Sequence, residues 1–170
     1  SVLDGKENGT YLEIGAAEPY WLSNTVILEK QFGWKGISIE LEQGKVDFFN
    51  RERSNYCYCS NALTANYLIM INANKLGDTI DYLSVDIEPP ENTYAALRAL
   101  PHDKVKFRVI TFEHDANMYW RNAAMRDVQR EILDSLGYSL VVRTEHEDWW
   151  VDSKVIPLSE YRRYFRWDHL

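Results

Sequence analysis

Short apolar runs alternate with helical stretches along nearly the whole chain, and this alternation restricts the fold more than any single motif does. Thr10 to Ile14, Gly36 to Ile39, Asn55 to Cys59, Ile80 to Val85 and Val105 to Phe112 read as strands, rich in β-branched and aromatic residues. Between them, Trp21 to Phe32, Gln43 to Arg53, Ala65 to Leu76 and Glu91 to Ala99 carry helical spacing. Ser23 or Asn24 can cap the first helix, Gly77 stops the third, and Pro89-Pro90 opens the fourth. Asn117 to Leu136 is the longest helix, with Met125, Val128, Ile132 and Leu136 expected on its inner face and Gly137 as its stop. Tyr138 to Arg143 and Trp149 to Val151 read as a closing antiparallel pair.

Strands that alternate with helices form a mainly parallel sheet with helices on both faces, and right-handed crossovers make it doubly wound. The fold class expected is therefore α/β, with one domain spanning residues 1–170 and no linker or repeat to divide it. In such a sheet, ligands sit beyond the carboxyl ends of the strands. The residues that follow each strand are the ones to examine.

Charge and cysteine usage narrow the partners. A formal net charge of −7 argues against nucleic acid, since a phosphate-tracking surface wants a basic excess. Arg162, Arg163 and Arg166 form the one basic cluster and read as a solvated face. Cys57 and Cys59 lack the spacing of a zinc pair and read as buried strand thiols, which suits a reducing cytoplasm. No run approaches the ~18 apolar residues of a membrane span. The chain opens at Ser1 just ahead of a strand, as a fragment of a longer protein would. The six Trp and eleven Tyr serve core and cleft, and some would line an organic or sugar substrate.

After the first strand stands Gly15-Ala16-Ala17, where small side chains let a ligand approach the backbone. The later glycines of a dinucleotide fingerprint and the Lys of a P-loop are missing. Glu13, acidic at that turn, suits a cationic ligand such as an ammonium or a sulfonium. Glu40 ends the second strand, where an acid accepts the hydroxyls of a ribose. Asn61 and Ala62 follow the third strand, one able to bond an adenine edge and the other leaving room for the ring. After the fourth and fifth strands come Asp86 with Glu88, and Glu113-His114-Asp115. So many ionisable groups beside one another suit general-base catalysis on a hydroxyl, by Asp86, His114 or Glu113, or the binding of Mg²⁺ by Asp86, Glu88, Glu113 and Asp115.

Taken together, Tyr11-Leu12-Glu13-Ile14-Gly15-Ala16, Leu22-Ser23-Asn24-Thr25, Gly33-Trp34-Lys35-Gly36-Ile37-Ser38-Ile39-Glu40, Asp81-Tyr82-Leu83-Ser84-Val85-Asp86-Ile87-Glu88 and Gly137-Tyr138 make the chain resemble the FkbM-type S-adenosylmethionine-dependent methyltransferases over roughly residues 10–150. The resemblance implies a seven-stranded, Rossmann-like sheet. It implies that Glu13, Gly15 and Ala17 flank the methionine part of S-adenosylmethionine, that Ser23 and Asn24 shape its pocket and that Glu40 holds its ribose. It further implies methyl transfer to a hydroxyl of a sugar, glycan or small natural product, with S-adenosylhomocysteine as the product. Two stretches depart from the family's usual pattern. Ala17-Glu18-Pro19 replaces its common Asn or Asp-Gly loop, and Pro89-Pro90 stands where a glycine commonly follows the acidic strand end, which predicts a stiffer loop there. Two rival readings are a catalytically silent cofactor- or glycan-binding module on the same scaffold and a nicotinamide-dependent oxidoreductase. The missing fingerprint glycines count against the latter.

Overall fold

The computed structural model describes residues 3–118 and 120–155. Twelve elements alternate along them: β1 (Thr10–Ile14), α1 (Val26–Phe32), β2 (Lys35–Glu40), α2 (Gln43–Glu52), β3 (Tyr56–Cys59), α3 (Tyr67–Ala73), β4 (Thr79–Val85), α4 (Pro90–Ala99), β5 (Lys106–Glu113), α5 (Trp120–Ser135), β6 (Tyr138–Arg143) and β7 (Glu147–Asp152). The strands form one seven-stranded sheet in the order β3-β2-β1-β4-β5-β7-β6. The first five run parallel; β7 is antiparallel to both β5 and β6. The expected α/β, doubly wound architecture and its antiparallel last pair are present.

Strand alternation divides the side chains between two layers. Leu12, Ile14, Ile37, Leu83, Ile110 and Phe112 face a large apolar core completed by Tyr67 and Ile71 of α3, Ala96 and Leu97 of α4 and Leu133 of α5. Tyr11, Glu13 and Ser38 face the opposite way, toward α1 and the end of α2. There Val46 and Phe49 pack on Cys57 and Ala16.

Several boundaries differ from expectation for local reasons. Helix α1 starts at Val26 rather than Trp21. Ser23 Oγ accepts the N–H groups of Thr25 and Val26, and Leu22 adopts a left-handed backbone (φ 56°). The stretch before Val26 is thereby diverted into a loop. The inner face of α5 is as expected in part: Ile132 and Leu136 pack against the core, but Asn122, Gln129 and Leu133 are the buried residues and Val128 is exposed. Asn122 is drawn inward because its amide donates to the Asp115 carbonyl at 3.0 Å. Cys57 is buried as expected, but Cys59 is exposed, because β3 is an edge strand and Cys59 is its last residue. The Arg162, Arg163 and Arg166 cluster lies outside the described residues. Among the described residues no helix is long and apolar enough to cross a membrane.

Candidate active site

The carboxyl ends of β1, β2 and β4 are tied together by backbone hydrogen bonds. Gly15 and Ala16 N–H both donate to the Ile39 carbonyl, and Asp86 N–H donates to that of Ile14. Gly15 has φ +89°, and a Cβ there would lie 1.8 Å from the Asp86 carbonyl oxygen. This position therefore accepts glycine alone. The next turn brings Ala17, also left-handed at φ 45°, within reach of β2, and its N–H donates to Glu40 Oε2 at 3.0 Å. The other Glu40 oxygen accepts from the N–H groups of Leu41 and Glu42. Three backbone donors thus hold one half-exposed carboxylate at the strand end, and Oε2, with one donor against the two on Oε1, keeps acceptor capacity for a hydroxyl.

Glu13 lies beneath this rim rather than on it. It is 1% exposed, and its Oε2 accepts from Ser38 Oγ at 2.6 Å and Thr25 Oγ1 at 3.0 Å. Burial pushes its carboxyl up to about 7, against the pull of those two hydroxyls. Ser23 acts in the backbone of the loop, as described above. Asn24 crosses to β4, where its amide donates to Ser84 Oγ and to Asp86 Oδ2, both at 3.1 Å. Asn61 spends its side-chain oxygen on a local turn to Leu63 N–H, and Ala62 is buried beside it.

Three of the four acidic residues come together, and Asp86 adjoins them at Glu113. Ligand oxygens of Glu88, Glu113 and Asp115 all lie within 4.8 Å of one another, and Asp86 hydrogen-bonds Glu113. Burial, followed by the hydrogen bond and charge of Asp86, raises Glu113 to about 9. Burial and the charge of Asp115 raise Glu88 as well. At neutral pH Glu113 therefore carries a proton. A folded-state value above the unfolded one means that the folded chain holds the extra proton between pH ~4.5 and ~9. The stabilisation is complete below that window and disappears as pH rises through it. We expect the thermal midpoint in EDTA-treated buffer to fall from pH 5 to pH 9, and Glu113→Gln to flatten the fall and raise the midpoint at pH 9. Parallel pH profiles for the two proteins would contradict the assignment.

His114 lies under the cluster. It is 1% exposed, its Nδ1 accepts from Ala116 N–H, and its Nε2 faces Asp148 at 3.6 Å, where Arg130 grips the same carboxylate with two hydrogen bonds. Sequence reasoning missed another imidazole. His146 comes from the turn between β6 and β7; its Nδ1 pairs with Asp115 Oδ1 at 2.8 Å, and its carbonyl accepts from both His114 and Asp115 N–H. Nothing in the local sequence marks it, because the contact depends on β7 pairing with β5. Beside the cluster a cavity of about 420 Å³ opens between Glu88, Pro89, Asp115, Met118 and the exposed Trp120.

A parallel five-stranded run followed by an antiparallel pair, with small and acidic residues at the ends of β1, β2 and β4, defines the Rossmann-like fold of the class I methyltransferases. Solved structures agree. Fibrillarin from Aeropyrum pernix, solved with natively bound S-adenosyl-L-methionine, aligns over 86% of this chain and 68% of its own at a TM-score of 0.59 and 13% identity. An O-methyltransferase from Bacillus cereus in complex with S-adenosylhomocysteine aligns over 88% and 74% at 0.58 and 17%. A candidate rRNA-methylase from Clostridium thermocellum aligns over 86% and 87% at 0.57 and 9%. At these identities the likeness is one of fold. No family model matches this sequence, and no curated protein matches it.

Proposed function

We propose that the chain is an S-adenosylmethionine-dependent methyltransferase of the FkbM type that methylates a hydroxyl of a sugar, glycan or small natural product. The observation that carries this reading is the Glu40 carboxylate, held by three backbone N–H groups at the strand end next to the Gly15–Ala17 turn. That arrangement fits the cofactor: a carboxylate for the ribose hydroxyls and a small-residue turn for the methionine part, with Glu13 buried beneath them as support. Retention of the Gly15–Ala17 turn and of Glu40 favours an active enzyme over a silent module. S-adenosylmethionine supplies an activated methyl group and leaves as S-adenosylhomocysteine.

The chain's own contribution is alignment and proton removal. Asp86, fixed by Asn24 and hydrogen-bonded to Glu113, would take the proton of the acceptor hydroxyl, whose oxygen would receive the methyl group as its bond to the cofactor sulfur breaks. The cavity beside Trp120 and Met118 offers the acceptor an apolar wall above an acidic floor. The net charge of −7 favours a small neutral or cationic acceptor over nucleic acid. The three oxygens clustered on Glu88, Glu113 and Asp115 also suit a divalent cation, which would take the place of the Glu113 proton.

Calorimetric titration tests both readings. S-adenosylmethionine and S-adenosylhomocysteine are expected to bind, and Glu40→Ala to weaken them about 10- to 100-fold through loss of charge-assisted hydrogen bonds. A folded chain that takes up neither ligand overturns the cofactor assignment. Mg²⁺ titrated alone should give heat that Glu113→Gln abolishes if the cation reading holds; no heat, with turnover unchanged in EDTA, removes it.

A further inference from the structure

Arg53 follows the last residue of α2, yet its side chain is fully buried. Nε donates to Glu29 Oε2 at 2.8 Å, Nη1 to the Pro19 carbonyl at 2.9 Å and to Ser23 Oγ at 3.1 Å, and Nη2 to Thr25 Oγ1 at 3.0 Å and Tyr11 Oη at 3.4 Å. The guanidinium also lies over the Phe49 ring, 4.7 Å from its centroid. Glu29 in turn accepts from Ser54 N–H and Asn55 Nδ2. A buried cation is tolerated only when its donors are satisfied, and here they are.

The identity of the acceptors is informative. Pro19, Ser23 and Thr25 belong to the loop between β1 and α1, the loop that sends Asn24 to Ser84 and Asp86. Thr25 extends the chain of hydrogen bonds to Glu13, which also holds Ser38. The same loop has little packing of its own. Tyr20, Trp21 and Leu22 are exposed, and Leu22 is left-handed. Polar contacts therefore set its shape: Ser23 Oγ accepts the N–H groups of Thr25 and Val26, Tyr20 Oη donates to Glu52, and Arg53 alone grips three of its residues from below.

We propose that Arg53 is the positioning residue of the cofactor seat: by gripping Pro19, Ser23 and Thr25 it sets where Asn24 meets Asp86 and where Thr25 meets Glu13. The proposal rests on the cofactor reading above. Lysine would keep the charge beside Glu29, but a single ammonium cannot span acceptors on both sides of a planar fork. A merely structural Arg53 would lower the melting midpoint and leave the folded protein's affinity alone.

S-adenosylhomocysteine titrated into the wild type, Arg53→Lys, Asn24→Ala and the double variant separates these cases. Arg53→Lys should bind about 10-fold more weakly or worse while remaining folded. The double variant should be no weaker than the weaker single one, because both changes break one linkage. Unchanged affinity in Arg53→Lys, or strictly additive losses, overturns the proposal. Thr25→Val, which keeps the ion pair and the side-chain shape, serves if Arg53→Lys does not fold: a comparable loss supports the grip, and wild-type affinity overturns it. A wild type without affinity sinks the cofactor reading itself, whereas a binding wild type with indifferent variants sinks only the role of Arg53.

Discussion

Gly15→Ala should be the most damaging single substitution in the site, lowering stability by roughly 3–5 kcal/mol and the melting midpoint by about 10 °C. Two costs add. The backbone at φ +89° disfavours any side chain, and the new methyl would sit 1.8 Å from the Asp86 carbonyl oxygen. Relief requires β1 and β4 to separate at the point where Asp86 N–H bonds the Ile14 carbonyl. Cofactor affinity should fall in parallel, since Ala17 and Asp86 would shift with the strand ends. Differential scanning calorimetry checks the first effect and titration the second. A midpoint within about 2 °C of wild type would show that the two strand ends have freedom that the geometry denies them.

The second large effect concerns turnover. Asp86→Asn should reduce kcat by about 10²- to 10⁴-fold, the usual worth of a positioned base. Asparagine keeps a carbonyl oxygen to accept from Asn24 Nδ2, so the loop contact at 3.1 Å survives. Cofactor affinity should therefore fall far less than turnover. The measurement is a single-turnover assay on an acceptor taken from a screen of hydroxylated compounds, beside a cofactor titration. Equal losses in affinity and rate would mean that Asp86 holds the cofactor and removes no proton.

The rim of the site was legible because it depends on short-range rules. A glycine ending a buried strand, an acid ending the next one and an acidic pair after the fourth can each be placed once the alternation of strands and helices is seen. Gly15, Glu40 and Asp86 could be found in that way. What holds them could not. Arg53 meets Thr25 across 28 residues and Tyr11 across 42, through a buried network with no sequence period. His146 reaches Asp115 across 31 residues, and only the insertion of β7 between β5 and β6 brings them together. The start of α1 was misread for a related reason. Helical spacing runs back to Trp21, but Asn24 is drawn toward Ser84 and Asp86, and that tertiary pull outweighs local propensity. His114 shows the reverse: a histidine at a strand end has the right address for catalysis, yet its ring lies under the site against Asp148.

The place of β7 in the sheet also bears on how the chain assembles. Strand β5 pairs with β4 on one side as soon as both exist, but its other edge stays open until β7 arrives, after α5 and β6. Glu113 is paired with Glu147, and the His114 and Asp115 N–H groups are satisfied by the His146 carbonyl, all supplied by that last hairpin. On a chain emerging from the ribosome, the half of the molecule bearing Gly15 and Glu40 can close first. The corner that holds Glu88, Glu113 and Asp115 is completed last, when the His146 carbonyl takes up the His114 and Asp115 N–H groups. A nascent chain stalled before β7 would present the open edge of β5, a template for aggregation that the completed sheet removes.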